Sequence, residues 1–404
     1  MDILESRPPA LAQELWNLIL SYLYGFTDDL RACTLVSRSL CAAAQVQLFH
    51  DIILRPPRPT RIVGSKFAFP ADETASCQRL RAVLTRKPHL IPHVRRVEIY
   101  FQPEIITHIL EVGFFRLEEI QIGSMRFAFR PDDRLMELAQ SLLGLPSLRR
   151  IELLRINQTR GFMPYLFHNS NPQLQALDIS MSELSPDITL FPDSTSIPAV
   201  SPTGRCWITE LRLVHSPTMA CWMFDPMCPF NFTRLKIADV SSSMCSDVWR
   251  ILTSAKRTLT HLTLSPGDLK SHPDLDLNQL PSLTYLHMDA PNERDISEIL
   301  PLLQDIDPEN RFEEIIITLA AYGGQPKTAE VRQILQIFDH IFDSIPLPWL
   351  RRVEICLFND QQDQCYAEND EQDTKLDVVS KERFYIESLL MLNARGVLMV
   401  KSFH

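Results

Sequence analysis

A nine-residue phrase recurs along this chain and constrains its fold more than any other feature. It reads HVRRVEIYF from 93, RLEEIQIGS from 116, SLRRIELLR from 147, QLQALDISM from 173, WITELRLVH from 207, NFTRLKIAD from 231, TLTHLTLSP from 258, SLTYLHMDA from 282, RFEEIIITL from 311 and WLRRVEICL from 349. Each copy sets apolar residues in an L-x-x-L-x-L frame, so the last two share one side of a short strand and their polar neighbours share the other. The first frame positions run from Val94 to Leu350 in nine steps, a mean of about 28 residues. Such spacing leaves room for a helix between strands, and the pattern predicts helices over 131–143, 243–255, 293–304 and 327–343. The last carries Val331, Ile334, Leu335, Phe338, Ile341 and Phe342 on one face, suited to packing on a strand layer. Strand and helix alternate, which predicts an α/β chain with parallel strands.

The phrase and its period resemble leucine-rich repeats. That resemblance implies an irregular solenoid, with parallel strands on a concave side, helices on a convex side, and each unit leaning on its neighbours for burial. Two departures stand out. The Asn or Cys usual three places after the third frame residue is replaced by Gln102, Met125, Ile156, Ser182 and others, and the step varies from 23 to 38 residues.

Residues 10–54 follow a different pattern. Leu11, Leu15, Leu18, Ile19, Tyr22 and Leu23 form one helical stripe that stops near Gly25. A second helix is expected to open at Thr27 or Asp28 and bury Leu30, Cys33 and Leu35, and Ser37 is placed to cap a third that runs to Leu48 and Phe49. Three short helices bury only part of their apolar surface against one another, so the remainder calls for a partner.

The run from Pro8 to Leu54 resembles the F-box motif in the form frequent in mushroom-type fungi. The matching residues are L-x-x-E-L-W-x-x-I at Leu11, Glu14, Leu15, Trp16 and Ile19, then D-L-R-A-C-x-L-V-S-R at 29–38 and L-F-x-D-I at 48–52. Ala12 stands where the motif usually carries Pro, while Pro8 and Pro9 lie upstream, where they can preset the helix entry. The resemblance covers about an eighth of the chain. It implies a substrate receptor of a cullin-RING ubiquitin ligase: a Skp-type adaptor, and through it a cullin, would be held by Leu11, Glu14, Leu15, Ile19, Leu23, Leu30 and Val36. Such a receptor supplies proximity without bond chemistry and needs no cofactor. A repeat scaffold with a non-functional F-box is the alternative class.

The organisation expected is a helical module over 1–54, a linker and repeat cap over 55–90, and repeats over 91–404 with insertions at 185–204 and 359–377. The stretch 185–204 holds four prolines, and 359–377 holds seven acidic residues without the D-x-D-x-D-G frame of a calcium loop.

Composition narrows the partners. Of 404 residues, 45% are hydrophobic and 22% charged, with a net charge of -10. That balance suits a folded protein and disfavours a general phosphate-backbone binder, so nucleic acid is not an expected partner. No apolar run reaches the ~18 to 20 residues of a membrane span, and the start MDILESRPPAL has no signal-peptide pattern, so the expected location is cytosol or nucleus. Nine cysteines without a C-x-x-C pair suggest neither a disulfide framework nor a zinc ribbon.

Two surfaces remain for function: the F-box stripe and the outward side of the strands. The frame puts Arg96, Glu119 and Arg150 in one lateral row and Glu314 beside Arg352, where alternating charge supports the stack by about 0.2 to 1 kcal/mol per pair. It also groups Arg212, Arg234, Lys236, His261, Tyr285 and His287 over four successive strands, a basic and aromatic cluster suited to an acidic segment of an unknown target protein. The sequence has no phosphate loop, G-x-G-x-x-G, H-E-x-x-H or G-x-S-x-G turn. His215, Cys221 and Asp225 lie close in sequence, and core or loop roles explain them more simply than a nucleophile set.

Overall fold

The computed structural model describes residues 11–54, 73–100, 111–123, 133–159, 163, 166–167, 170–185, 205–225, 228–241, 243, 245–265, 275–290, 301–321, 328–345, 347–359, 386 and 389–403. Three helices come first, α1 (Gln13–Ser21), α2 (Thr27–Cys33) and α3 (Arg38–Leu48), followed by β1 (Asp51–Leu54), α4 (Glu73–Arg86) and β2 (Arg96–Tyr100). The strands continue as β3 (Glu119–Gly123), β4 (Arg150–Leu154), β5 (Asn157–Thr159), β6 (Ala176–Ser180), β7 (Glu183–Ser185), β8 (Cys206–Trp207), β9 (Glu210–Val214) and β10 (Phe230–Asn231). The last six are β11 (Ile237–Asp239), β12 (His261–Leu264), β13 (Tyr285–Ala290), β14 (Glu314–Ala321), β15 (Arg352–Asn359) and β16 (Leu398–Phe403). Longer helices fall between strands at Asp133–Leu143, Ser246–Ser254 and Thr328–Ser344, while most of the helix expected at 293–304 lies outside the described residues. All ten phrases coincide with strands. The insertions, from 186 and from 360 onward, and the linker at 55–59 lie outside the described residues.

The chain divides into two compact units, one of residues 1–174 and 185–199, the other of 175–184 and 200–404. In the first, α1, α2 and α3 close around Leu20, Leu30, Ala43 and Ala44, with Trp16, Leu23, Cys33, Leu40 and Leu48 packed against them. The Ser37 hydroxyl caps α3 by accepting from the Leu40 N–H at 3.2 Å. α2 opens at Thr27, as expected, but the residue at its N-cap is Phe26 and no side chain caps it. Gly25 has φ +91°, a left-handed geometry that glycine adopts without a Cβ penalty, and it ends the turn after α1.

β1 joins the sheet of the first unit, where β1, β2, β3 and β4 run parallel in that order. Ile52, Val97, Ile120 and Ile151 share one register row. All four are buried, as expected when side chains alternate across a strand. β1 was not among the ten phrases, because DIIL follows α3 too closely to show a full frame. Tyr24 ties it to the helices, its hydroxyl bonding the Asp51 carboxylate. Burial and that carboxylate push the Tyr24 phenol up to about 12.

In the second unit eight strands run parallel in the order β6, β9, β11, β12, β13, β14, β15, β16. Leu177, Leu211, Ala238, Leu262, Leu286, Ile315 and Val353 form its continuous apolar row, and all are buried. Helix Thr328–Ser344 contributes Leu335, Phe338, Ile341 and Phe342 to the same core.

Serines three residues past the last buried frame residue in three successive strand units bond to one another. The Ser182 N–H donates to Ser216 Oγ at 2.9 Å and the Ser216 N–H donates to Ser243 Oγ at 2.7 Å. Each hydroxyl donates in turn to a backbone carbonyl two residues back: Ser180, Val214 and Ser241. This ladder satisfies buried turn amides that would otherwise be orphaned. The residues ahead of the first two serines, Met181 and His215, have φ of 52° and 49°. Arg155, ahead of Ile156 at the same offset from its strand, has φ 55°, so this left-handed turn recurs where no serine stands and does not depend on the ladder.

Ser216→Ala would strip the Ser182 N–H of its acceptor and should cost about 1 to 3 kcal/mol, read as a lower urea midpoint; an unshifted midpoint would show that the ladder carries no stability.

Candidate protein-docking surfaces

The helical module keeps its own core with Trp16, Leu20 and Leu23, one face of α1 at i, i+4 and i+7. The opposite face is left in solvent: Leu11, Leu15, Leu18, Ile19 and Tyr22 are all exposed. Of the residues the motif assigns to an adaptor, Leu11, Leu15 and Ile19 sit on this open face, Glu14 is exposed in the first turn of α1, and Val36 is 71% exposed beyond α2. Leu23 packs inward and Leu30 is 1% exposed, so these two serve the internal core. Leu35, expected to be buried, is 87% exposed and extends the apolar surface, as does Phe26. Leu35 projects outward because the chain leaves α2 at Thr34 in a turn, which carries it off the helix face that buries Leu30. Exposed apolar area of this kind is uncommon on a monomer surface unless something covers it.

On the polar side of the first unit's sheet, Arg96, Glu119 and Arg150 share a row as the frame requires. Arg96 lies 3.7 Å from Glu119, 3.8 Å from Glu98 and 3.9 Å from Glu152, and Arg150 lies 4.0 Å from Glu119. Glu98 is buried, so Arg96 serves to keep a buried carboxylate compensated.

The corresponding side of the second unit divides the six residues grouped by sequence. Arg212 sits between Asp178 and Asp239, at 3.4 and 3.1 Å, and those carboxylates also accept from Ser180 and Ser241. Its charge is spent within the sheet. His261 and Tyr285 are register partners on β12 and β13, with rings 5.1 Å apart. His287 pairs in the next outward row with Thr263 and bonds the Thr318 hydroxyl at 2.7 Å.

Arg234 and Lys236 are not on that face. β11 starts at Ile237, which pairs with Glu210 and His261, so the outward residues are Ile237 and Asp239 and the buried frame is Leu235, Ala238 and Val240. The sequence frame over this copy is displaced because Ala238 is a weak hydrophobic signal beside Leu235 and Ile237. Arg234 instead lies over the Trp207 ring, 4.1 Å from its centroid. Lys236 stands one residue before the strand, exposed.

Burial holds the His287 imidazole below its ordinary value, against the opposing pull of Asp289 and Asp239. Burial likewise raises the Asp289 carboxyl, and burial together with Glu314 raises the Tyr285 phenol. Among the described residues no cluster of three or more His, Cys, Asp or Glu is arranged to hold a metal ion, and no helix is long and apolar enough to cross a membrane.

No protein-family model matches the chain, and no curated protein matches it. Among solved structures, a crystal structure of a Bacteroides fragilis protein is similar over 84% of each chain, at 11% identity and a TM-score of 0.35.

Because the unfolded imidazole takes a proton near 6.5 and the folded one resists it, the contribution of His287 is fully present above that pH and is lost as pH falls below it. Melting temperature should therefore drop between about pH 7.5 and 5.5, and His287→Gln should flatten that slope; His93, shifted the same way by burial, leaves a residual slope. Identical slopes in the two proteins would refute the assignment.

Proposed function

We propose that this chain is a substrate receptor of a cullin-RING ubiquitin ligase, binding a Skp-type adaptor through α1, α2 and their flanks and a target protein through a leucine-rich-repeat arc. The observation that carries the reading is the outer face of α1. Leu11, Leu15, Leu18, Ile19 and Tyr22 stay in solvent although the module already has a complete internal core. A helix whose inner face suffices for folding has no folding reason to be apolar outside as well. Together with Phe26, Leu35 and Val36, these side chains form a surface suited to a partner helix, and an interface of roughly 1,000 Å² or more would make the contact stable.

The arc reading is supported by parallel strands that follow in chain order, by intervening helices and by the serine ladder at the position leucine-rich repeats give to Asn. In this reading the protein is a non-catalytic tether. It raises the local concentration of a target beside a separate conjugating enzyme, in cytosol or nucleus, and uses no cofactor.

Leu15→Asp is the direct test. Leu15 is 46% exposed, so the melting temperature should move little, within about 0.5 kcal/mol of stability, while co-purification with a Skp-type adaptor should be abolished. Undiminished co-purification would sink the proposal.

A further inference from the structure

We infer that the turn ahead of β12 and the approach to β11 together form a binding surface for an acidic peptide segment. The surface consists of Arg234, Lys236, Lys256 and Arg257 with Trp207 beside them. Backbone geometry brings the four cations together. The Lys236 carbonyl accepts from the N–H groups of Thr260 and His261 at 2.9 and 3.0 Å, and the Thr258 hydroxyl donates to the carbonyls of Thr233 and Leu235 at 3.2 and 2.8 Å. The segment from Ala255 to Thr260 is thereby laced onto the segment from Thr233 to Lys236.

All four cationic side chains are exposed. Among the described residues none of the four meets a carboxylate, whereas the nearby arginines do: Arg212 bridges Asp178 and Asp239, and Arg250 pairs with Asp247. Like charges on two hydrogen-bonded backbone segments, without carboxylate partners, repel one another, and a bound anion relieves that repulsion. The Trp207 ring holds the Arg234 guanidinium in place. Trp207 and Ile237 also leave apolar surface exposed next to the charges, which an aromatic or aliphatic side chain of a ligand would cover.

The rest of the molecule selects the kind of anion. The chain carries a net charge of -10, so an extended polyanion or a charged membrane would be repelled outside the patch, while a short acidic segment keeps its charge near the four cations. This deepens the target-binding half of the function proposed above and moves it from the middle of the sheet face to the strand entry. The measurement needs no adaptor, so its failure is distinguishable from a failure of adaptor docking.

The test uses the full chain and a fluorescein-labelled peptide, Glu-Glu-Phe-Glu-Glu-Leu-Glu, followed by anisotropy. Saturable binding that weakens as salt rises is expected. The double variant Lys256→Glu, Arg257→Glu should weaken it about tenfold or more, equivalent to about 1.4 kcal/mol, and Lys256→Gln with Arg257→Gln should give an intermediate loss with an unchanged melting curve. Trp207→Ala should also weaken binding. The inference is overturned by absence of saturable binding, by indifference to charge reversal, or by tighter binding of oligothymidylate or phosphatidylserine vesicles at the same salt.

Discussion

Lateral hydrogen bonding between parallel strands, locked in register by their apolar rows, is the constraint on which everything else in this protein rests. No strand here can satisfy its own backbone, and parallel neighbours require a crossover between them. Each copy of the phrase therefore makes sense only beside another copy. Leu177, Leu211, Ala238, Leu262, Leu286, Ile315 and Val353 occupy one row, and a slip of one residue would move that row to the solvent side. With the register fixed, the opposite rows follow, including the charge pairs around Arg96 and Arg212 and the His261–Tyr285 stack.

The polar side of the strands is mostly occupied with its own electrostatics. Glu98, Asp178 and Glu354 are buried carboxylates. Arg96, Arg212, and Arg352 with Lys401 stand against them in turn. Removing a charge partner from such a group leaves a desolvated carboxylate uncompensated, so these arginines are held in place by the fold itself. The apolar outer side of α1 and the cations Arg234 and Lys256 at the strand entry stand apart from these pairs.

The helical module shows the same division of labour on a smaller scale. Trp16, Leu20 and Leu23 belong to its core cluster, whereas Leu15, Leu18 and Ile19 of α1, with Leu11 before it and Tyr22 after it, are exposed. The serine ladder serves the turns: each hydroxyl donates to a carbonyl two residues back, and those of Ser216 and Ser243 also accept a turn amide.

The sequence by itself located the ten phrase strands, though not β1 or β16, and the helices at Asp133–Leu143, Ser246–Ser254 and Thr328–Ser344, because apolar alternation at period two and at 3.6 is written residue by residue. It also placed the Ser37 cap from local spacing, and the Arg96–Glu119–Arg150 row from the shared phrase frame once neighbouring strands pair in parallel. Tertiary structure decided the rest. Only packing showed that Leu20 faces inward while Leu15 faces out, for a helix apolar on two sides gives the sequence no means of ranking its faces. Only the register of β11 against β9 and β12 showed that Ala238 takes a core position and that Lys236 precedes the strand, because a small side chain becomes a core residue through its neighbours. Likewise Ser182, Ser216 and Ser243 lie 34 and 27 residues apart, and their hydrogen bonds form only once the strands that carry them are stacked.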